Sequence, residues 1–137
     1  MIKYATTYLA TGLAFAAMDA VYLTVAGQRV YRPALDYALA DTLNLPAAIA
    51  FYLAYIAGIL MLAIRPNRDA SLAQVAVTGA MLGAMAYATY DLTNQATLKA
   101  WETRITLIDV AWGTVVTAVG ATVGLLAWRW AAKRFPG

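Results

Sequence analysis

Residues 46–64, 72–90 and 110–128 each run for 19 positions without one charged side chain. An α-helix rises about 1.5 Å per residue and the hydrocarbon core of a bilayer is about 30 Å thick, so about 20 apolar residues make a span. Each stretch therefore predicts a transmembrane helix. A fourth segment, residues 4–26, is long enough and carries one charge, Asp19. Inside it Ala14-Phe15-Ala16 has the small-x-small form of a signal-peptide cleavage site; we expect the segment to be retained as the first span. The pattern predicts an all-α integral membrane protein, a four-transmembrane-helix bundle. It forms a single domain over residues 1–137, with spans at about 4–27, 46–64, 72–92 and 106–128.

The connectors carry their own signals. In residues 28–45, Pro33 is placed to open a short interfacial helix with Leu35, Leu39 and Leu43 on one face. Asn44 is a candidate N-cap, with Pro46 in the first turn behind it. Arg65-Pro66 ends the second span, and Ser71-x-x-Gln74 has the spacing of a capping box for the third. Residues 93–104 form a polar connector, and a basic tail, residues 129–137, follows the fourth span.

Composition sharpens this picture. The chain is 63% hydrophobic and 12% charged, against about 25% charged in a soluble domain. It has neither His nor Cys, which removes disulfides, imidazole bases and the usual haem and zinc ligands. Neither haem nor zinc is expected, no metal site is indicated, and the cofactor is left unknown. The net charge of +3 fits lipid headgroups rather than nucleic acid, because the basic residues flank the spans. Lys3, Arg65, Arg68, Arg129, Lys133 and Arg134 fall on the side of the termini, and Arg29, Arg32, Lys99 and Arg104 on the other. Six against four favours cytoplasmic termini in an inner membrane.

Candidate chemistry lies with three acids, Asp19, Asp91 and Asp109. Asp19 is eight residues before Gly27, roughly 12 Å below that end of the helix. All three map to the half of the bilayer away from the termini, as do Tyr22, Tyr87, Tyr90, Asn94, Lys99 and Trp112. Intramembrane carboxylates usually face the interior of a helix cluster and mark a functional site, so these residues make up an expected polar pocket. Plainer roles exist for each acid: Asp109 capping the fourth helix from Thr106, Asp91 solvated at the interface beside Thr93 or Asn94, and Asp19 paired with Lys99, Arg104 or Arg29. Gly79 and Gly83 on the third helix, and Gly113, Gly120 and Gly124 on the fourth, have the small-residue spacing of close helix contacts. Such contacts are either internal or with another subunit. Tyr4, Tyr8, Trp128 and Trp130 fit interfacial belts.

Five motifs carry a resemblance: Asp19-Ala-Val-Tyr-Leu23, Tyr31-Arg32, Tyr87-Ala-Thr-Tyr-Asp-Leu-Thr-Asn94, Ala96-Thr-Leu-Lys99 and Asp109-Val-Ala-Trp-Gly113. The chain resembles small bacterial membrane proteins grouped as domain of unknown function 2177. That likeness implies a four-helix protein of the bacterial inner membrane and implies no reaction.

Three functions fit these features. The first is a non-catalytic module that binds a lipid-like ligand or serves as accessory subunit of a larger membrane complex or homo-oligomer. The second is an enzyme acting on a lipid or isoprenoid through carboxylate acid/base chemistry. The third is a small dimeric proton-coupled exporter, against which stands the placement of Asp19 toward one end of its span.

Overall fold

A computed structural model of the protein describes residues 1–135, which hold helices and no strand. Four helices are long and apolar enough to cross a membrane: α1 Ile2–Leu35, α2 Leu45–Ile64, α3 Leu72–Thr97 and α4 Thr103–Arg134. Burial along them departs from that of a soluble protein, although Phe15, Ile59, Ile64 and Leu125 still form an apolar core. Leu13, Val21, Leu53, Met81, Met85 and Leu107 point outward and are more than half exposed, while Thr7, Thr11, Thr117, Asp19 and Asp91 are buried. Lipid explains the exposed apolar side chains, since it solvates them and leaves helix association to close packing and hydrogen bonds.

The helix α4 is the central element, packing along α3 on one side and α1 on the other; α2 joins chiefly through its second half. Glycines allow the close approaches. A Cβ on Gly79 would lie 2.8 Å from Ala121 Cβ and 3.0 Å from the Thr117 carbonyl oxygen. One on Gly83 would lie 2.8 Å from Thr117 Cβ. Gly113 meets the Tyr87 ring, while Gly124 faces Thr11 and Ile64. Gly120 has more room, with Thr11 and Phe15 atoms 3.7–3.9 Å from its notional Cβ. The glycines of α4 thus meet three neighbours within the chain, α3, α1 and α2.

The end that holds the termini is tied by a Tyr4–Trp128 edge contact (5.0 Å) and a hydrogen bond from Arg129 to the Ala70 carbonyl. Tyr8 also does more than sit in a belt, because its hydroxyl donates to the Leu53 carbonyl at 2.9 Å. Caps start α2 and α3. Asn44 Oδ1 accepts from the Ala47 N–H at 3.2 Å, and Ser71 Oγ from the Gln74 N–H at 3.1 Å. The Gln74 side chain does not return to Ser71 but donates to Asn67 Oδ1, so only half of the capping box forms.

Several helix ends differ from the expected ones. The first helix does not stop at Gly27: a π turn, Gly27–Tyr31, carries it on to Leu35. Pro33 opens no separate amphipathic helix. It lies two residues past the widened turn, in the first turn of helix that follows, where its missing N–H is tolerated. Leu35 is buried, but Leu39 and Leu43 lie in the non-helical segment that follows and are 45% and 84% exposed, so they share no apolar face. A second π turn, Ile59–Ile64, follows Gly58 in α2. α3 continues past residue 92 to Thr97, with Thr93 and Thr97 hydroxyls bonded to carbonyls one turn back. α4 begins at Thr103, ahead of residue 106. The expected polar connector 93–104 therefore shrinks to a short link, closed by Gln95–Thr103 and Thr106–Gln95 hydrogen bonds of 2.8 Å each. The basic tail is helical to Arg134; Pro136 and Gly137 lie outside the described residues.

Candidate functional site

Asp19 sits on the inner face of α1 and is 7% exposed. It accepts from the Tyr52 hydroxyl at Oδ2 and from Trp112 Nε1 at Oδ1, the latter at 3.0 Å. One carboxylate thus ties α1 to α2 and α4, with a donor on each oxygen. Among the described residues no basic side chain forms an ion pair with Asp19, Asp91 or Asp109. Arg104 pairs with Glu102 at 3.1 Å, and Arg29 and Lys99 are exposed.

A second hydrogen-bonded chain runs beside it. The Tyr31 hydroxyl donates to Asp109 Oδ1, and the Tyr22 and Tyr31 hydroxyls are 2.8 Å apart. Tyr31 spends its one hydrogen on Asp109, so Tyr22 donates to Tyr31. The π turn makes this possible. Nine residues are about two and a half turns of α-helix, which would place Tyr31 opposite Tyr22. The wider turn between them removes part of that rotation. The Tyr22 ring also stacks on Trp112, with centroids 4.1 Å apart and planes at 6°. Asp109 is accordingly no cap. α4 begins two turns earlier, and its N-cap Glu102 makes no side-chain cap bond.

Asp91 differs from the other two acids. It is fully buried on α3, and neither of its oxygens has a donor. The carboxyl of Asp109 stands within hydrogen-bonding reach, and a single proton shared between the two acids joins them. Thr93, a candidate partner at the interface, gives its hydroxyl to the Thr89 and Tyr90 carbonyls. Asn94 lies half-buried one turn beyond.

Tyr87 joins the cluster, its ring pressed on Gly113 and 6.5 Å from Tyr55, whose hydroxyl meets Thr117 Oγ1 at 2.9 Å. Two expected members stand apart: Tyr90 is 61% exposed and packs edge-on to Trp101, and Lys99 is exposed on the link between α3 and α4. Conversely, Tyr52 and Tyr55 of α2 belong to the cluster, and Tyr31 matters more than its place in a motif suggests. A signal for the first two existed, since a tyrosine deep in an apolar span must find a partner for its hydroxyl.

Outside this polar cluster, Ala17, Met18, Val21, Tyr22, Val25 and Trp112 line an open, almost wholly apolar groove of about 540 Å³. The Tyr22–Trp112 stack is its wall. The hydroxyl of Tyr22 and the indole N–H of Trp112 lead from that wall to Asp109 and Asp19. No group of three acidic side chains among the described residues is arranged to hold a metal ion.

No curated protein and no solved structure is similar to the chain. One family is: that described as "Predicted membrane protein (DUF2177)" matches residues 4–126. That match takes in all five motifs and every residue of the polar cluster, and so the chain, a multi-pass membrane protein, belongs to the DUF2177 family.

Proposed function

We propose that the protein is a non-catalytic module of the bacterial inner membrane that binds a lipid-like ligand, with both termini in the cytoplasm. The observation that carries this reading is the α1–α4 groove, backed by a polar cluster at its Tyr22–Trp112 wall. Ligand sites are mostly apolar concavities of about 300–1,000 Å³ with a few placed polar groups. This groove opens sideways to the lipid, where a chain-bearing molecule enters without crossing water. Binding is favoured over catalysis because Asp19 has a donor on each oxygen and Asp109 holds Tyr31, which fixes them as scaffold rather than as mobile proton carriers. The basic residues at the end with the termini support the orientation.

Native mass spectrometry of protein purified in mild detergent tests the reading. The wild type should retain a bound amphiphile, and Val21→Trp, which fills the groove, should lose it. Equal retention by both would overturn the assignment of the groove.

A further inference from the structure

Charge is divided unequally between the two ends of the helices. The end with the termini carries six basic side chains and one acidic, Asp69, whereas four basic and six acidic side chains belong to the opposite half. Three of the six basic residues meet at the turn between α2 and α3. Arg65 and Arg68, with Met61, Pro66 and Asp69, line an open cavity of about 330 Å³. Arg129 of α4 braces that turn by donating to the Ala70 carbonyl. Arg68 gives Nε to Asp69 at 3.3 Å, which orients the guanidinium and leaves its two terminal nitrogens unspent. Arg65 is exposed and, among the described residues, pairs with none. Trp128, next to Arg129 and packed on Tyr4, marks this end as the membrane–water interface.

We propose that this cavity receives the phosphate of an anionic phospholipid, held by Arg65 and Arg68, with the start of an acyl chain along Met61. A guanidinium presents a planar fork of donors that matches two phosphate oxygens. The one carboxylate at the site, Asp69, is already taken up by Arg68. Arg65 directly follows the apolar span that ends at Ile64, which puts the turn at the depth of the headgroups. Met61, exposed on the last turn of α2, lies on the span side of the cavity. Head and chain thus meet arginine and methionine in the order in which a lipid presents them. A zwitterionic phospholipid fits less well, because its own ammonium would enter a cluster of three guanidiniums. The site lies in the opposite half from the α1–α4 groove and does not depend on it.

The full chain in dodecyl maltoside is titrated with phosphatidylglycerol, phosphatidylethanolamine or inorganic phosphate at about 0.15 M salt while its thermal unfolding is followed. Phosphatidylglycerol should raise the melting temperature at concentrations where the other two do not. Arg65→Gln combined with Arg68→Gln should weaken phosphatidylglycerol by at least about tenfold. The double variant should fold, because both side chains are exposed and an exposed ion pair contributes little. If it does not, Arg65→Gln alone, which breaks no contact, should still weaken the lipid severalfold. Lys133→Gln combined with Arg134→Gln removes the same charge from the same end and should leave most of the effect in place. Equal stabilisation by phosphatidylglycerol and phosphatidylethanolamine, or an effect that survives loss of Arg65 and Arg68, would overturn the proposal. So would an equal loss in the Lys133 and Arg134 variant, which would mean diffuse charge attraction only. Inorganic phosphate acting as strongly as phosphatidylglycerol would overturn it too, since the site would then take a free anion. Val21→Trp separates this site from the groove and should leave phosphatidylglycerol unaffected. If Val21→Trp abolishes the effect while the arginine variants keep it, the lipid sits in the groove, and the groove reading stands while this one falls.

Discussion

One methyl group, added at different glycines, should change the stability of this protein with opposite signs. Gly58 on α2 has no atom within 4 Å of where a Cβ would stand. Gly58→Ala there gains helix propensity, up to about 1 kcal/mol, with nothing to displace. Gly83 on α3 gains the same propensity, but its Cβ would lie 2.7 Å from Thr117 Oγ1 and 2.8 Å from Thr117 Cβ, with the Gly113 carbonyl oxygen closer still. A carbonyl in the middle of α4 moves only if the helix moves. Forcing an extra methyl into such a contact costs about 1–3 kcal/mol, at times more.

The propensity gain cancels in the comparison, so Gly83→Ala should be less stable than Gly58→Ala by about 1–3 kcal/mol. Gly120→Ala should fall near Gly58→Ala, because its nearest neighbours leave ordinary contact distance, 3.7 Å and beyond. Reversible unfolding of the purified variants in mixed micelles, followed by tryptophan fluorescence, reads the three values. If Gly83→Ala matches Gly58→Ala, the α3–α4 contact is not the close one described, and the argument from glycine packing fails.

Other substitutions address the polar cluster and the topology. Asp19→Ala strands the Tyr52 hydroxyl and the Trp112 N–H and should cost about 1–3 kcal/mol for each donor left unpaired, measurable in the same unfolding assay; Asp19→Asn, which keeps an acceptor, should cost less. Tyr31→Phe breaks the Tyr22–Tyr31–Asp109 chain and should lower stability by about 1 kcal/mol, with no loss if the chain is incidental. Asp91→Asn, which keeps size and a donor toward Asp109, should melt close to the wild type, whereas Asp91→Ala, which opens a cavity at a fully buried position, should melt lower; equal melting of the two variants would show that the Asp91 carboxyl makes no contact of consequence. With cytoplasmic termini, a cysteine at the exposed Leu43 should react with an impermeant reagent in intact cells while one at Asp69 does not, and the reverse pattern would invert the topology.

What the sequence disclosed and what it withheld divide along the helix axis. Charge-free runs and a fixed rise place a residue in depth, which is why four helices and the clustering of Asp19, Asp91, Asp109, Tyr22, Tyr87 and Trp112 in one half were legible. Rotation about the axis was harder. Tyr90 and Asp91 are adjacent and so about 100° apart, which leaves room for only one of them in the cluster; Tyr87, four residues before Asp91, shares its face. That much was available from spacing alone. The π turns were not, because a widened turn depends on what the backbone must accommodate, and they decide where Tyr31 points. Helix ends beyond the apolar runs also escaped, since polar residues such as Thr93 and Thr97 extend a helix into the interface by bonding back to its carbonyls. Lys99 illustrates the remaining limit: equal depth with the acids put it among them, but it lies on a non-helical link facing outward.

The two buried acids show how the same residue type serves opposite ends. Asp19 is the one that membrane physics singles out first, yet Tyr52 and Trp112 satisfy it fully and it crosslinks three helices. A carboxylate held by two neutral donors, with no cation, is a scaffold element whose removal should be felt as lost stability. Asp91 is nearer the end of its span and easier to dismiss as solvated, yet it is fully buried, with Asp109 beside it. Folding alone gives no reason to place it there, because an apolar side chain of similar size would cost less in that position. Buried polar groups ordinarily find a partner within the fold, and for Asp91 that partner is Asp109. The distinction between the acids is therefore one of partners rather than depth: Asp19 is held by two neutral donors from other helices, whereas Asp91 stands against a second carboxyl.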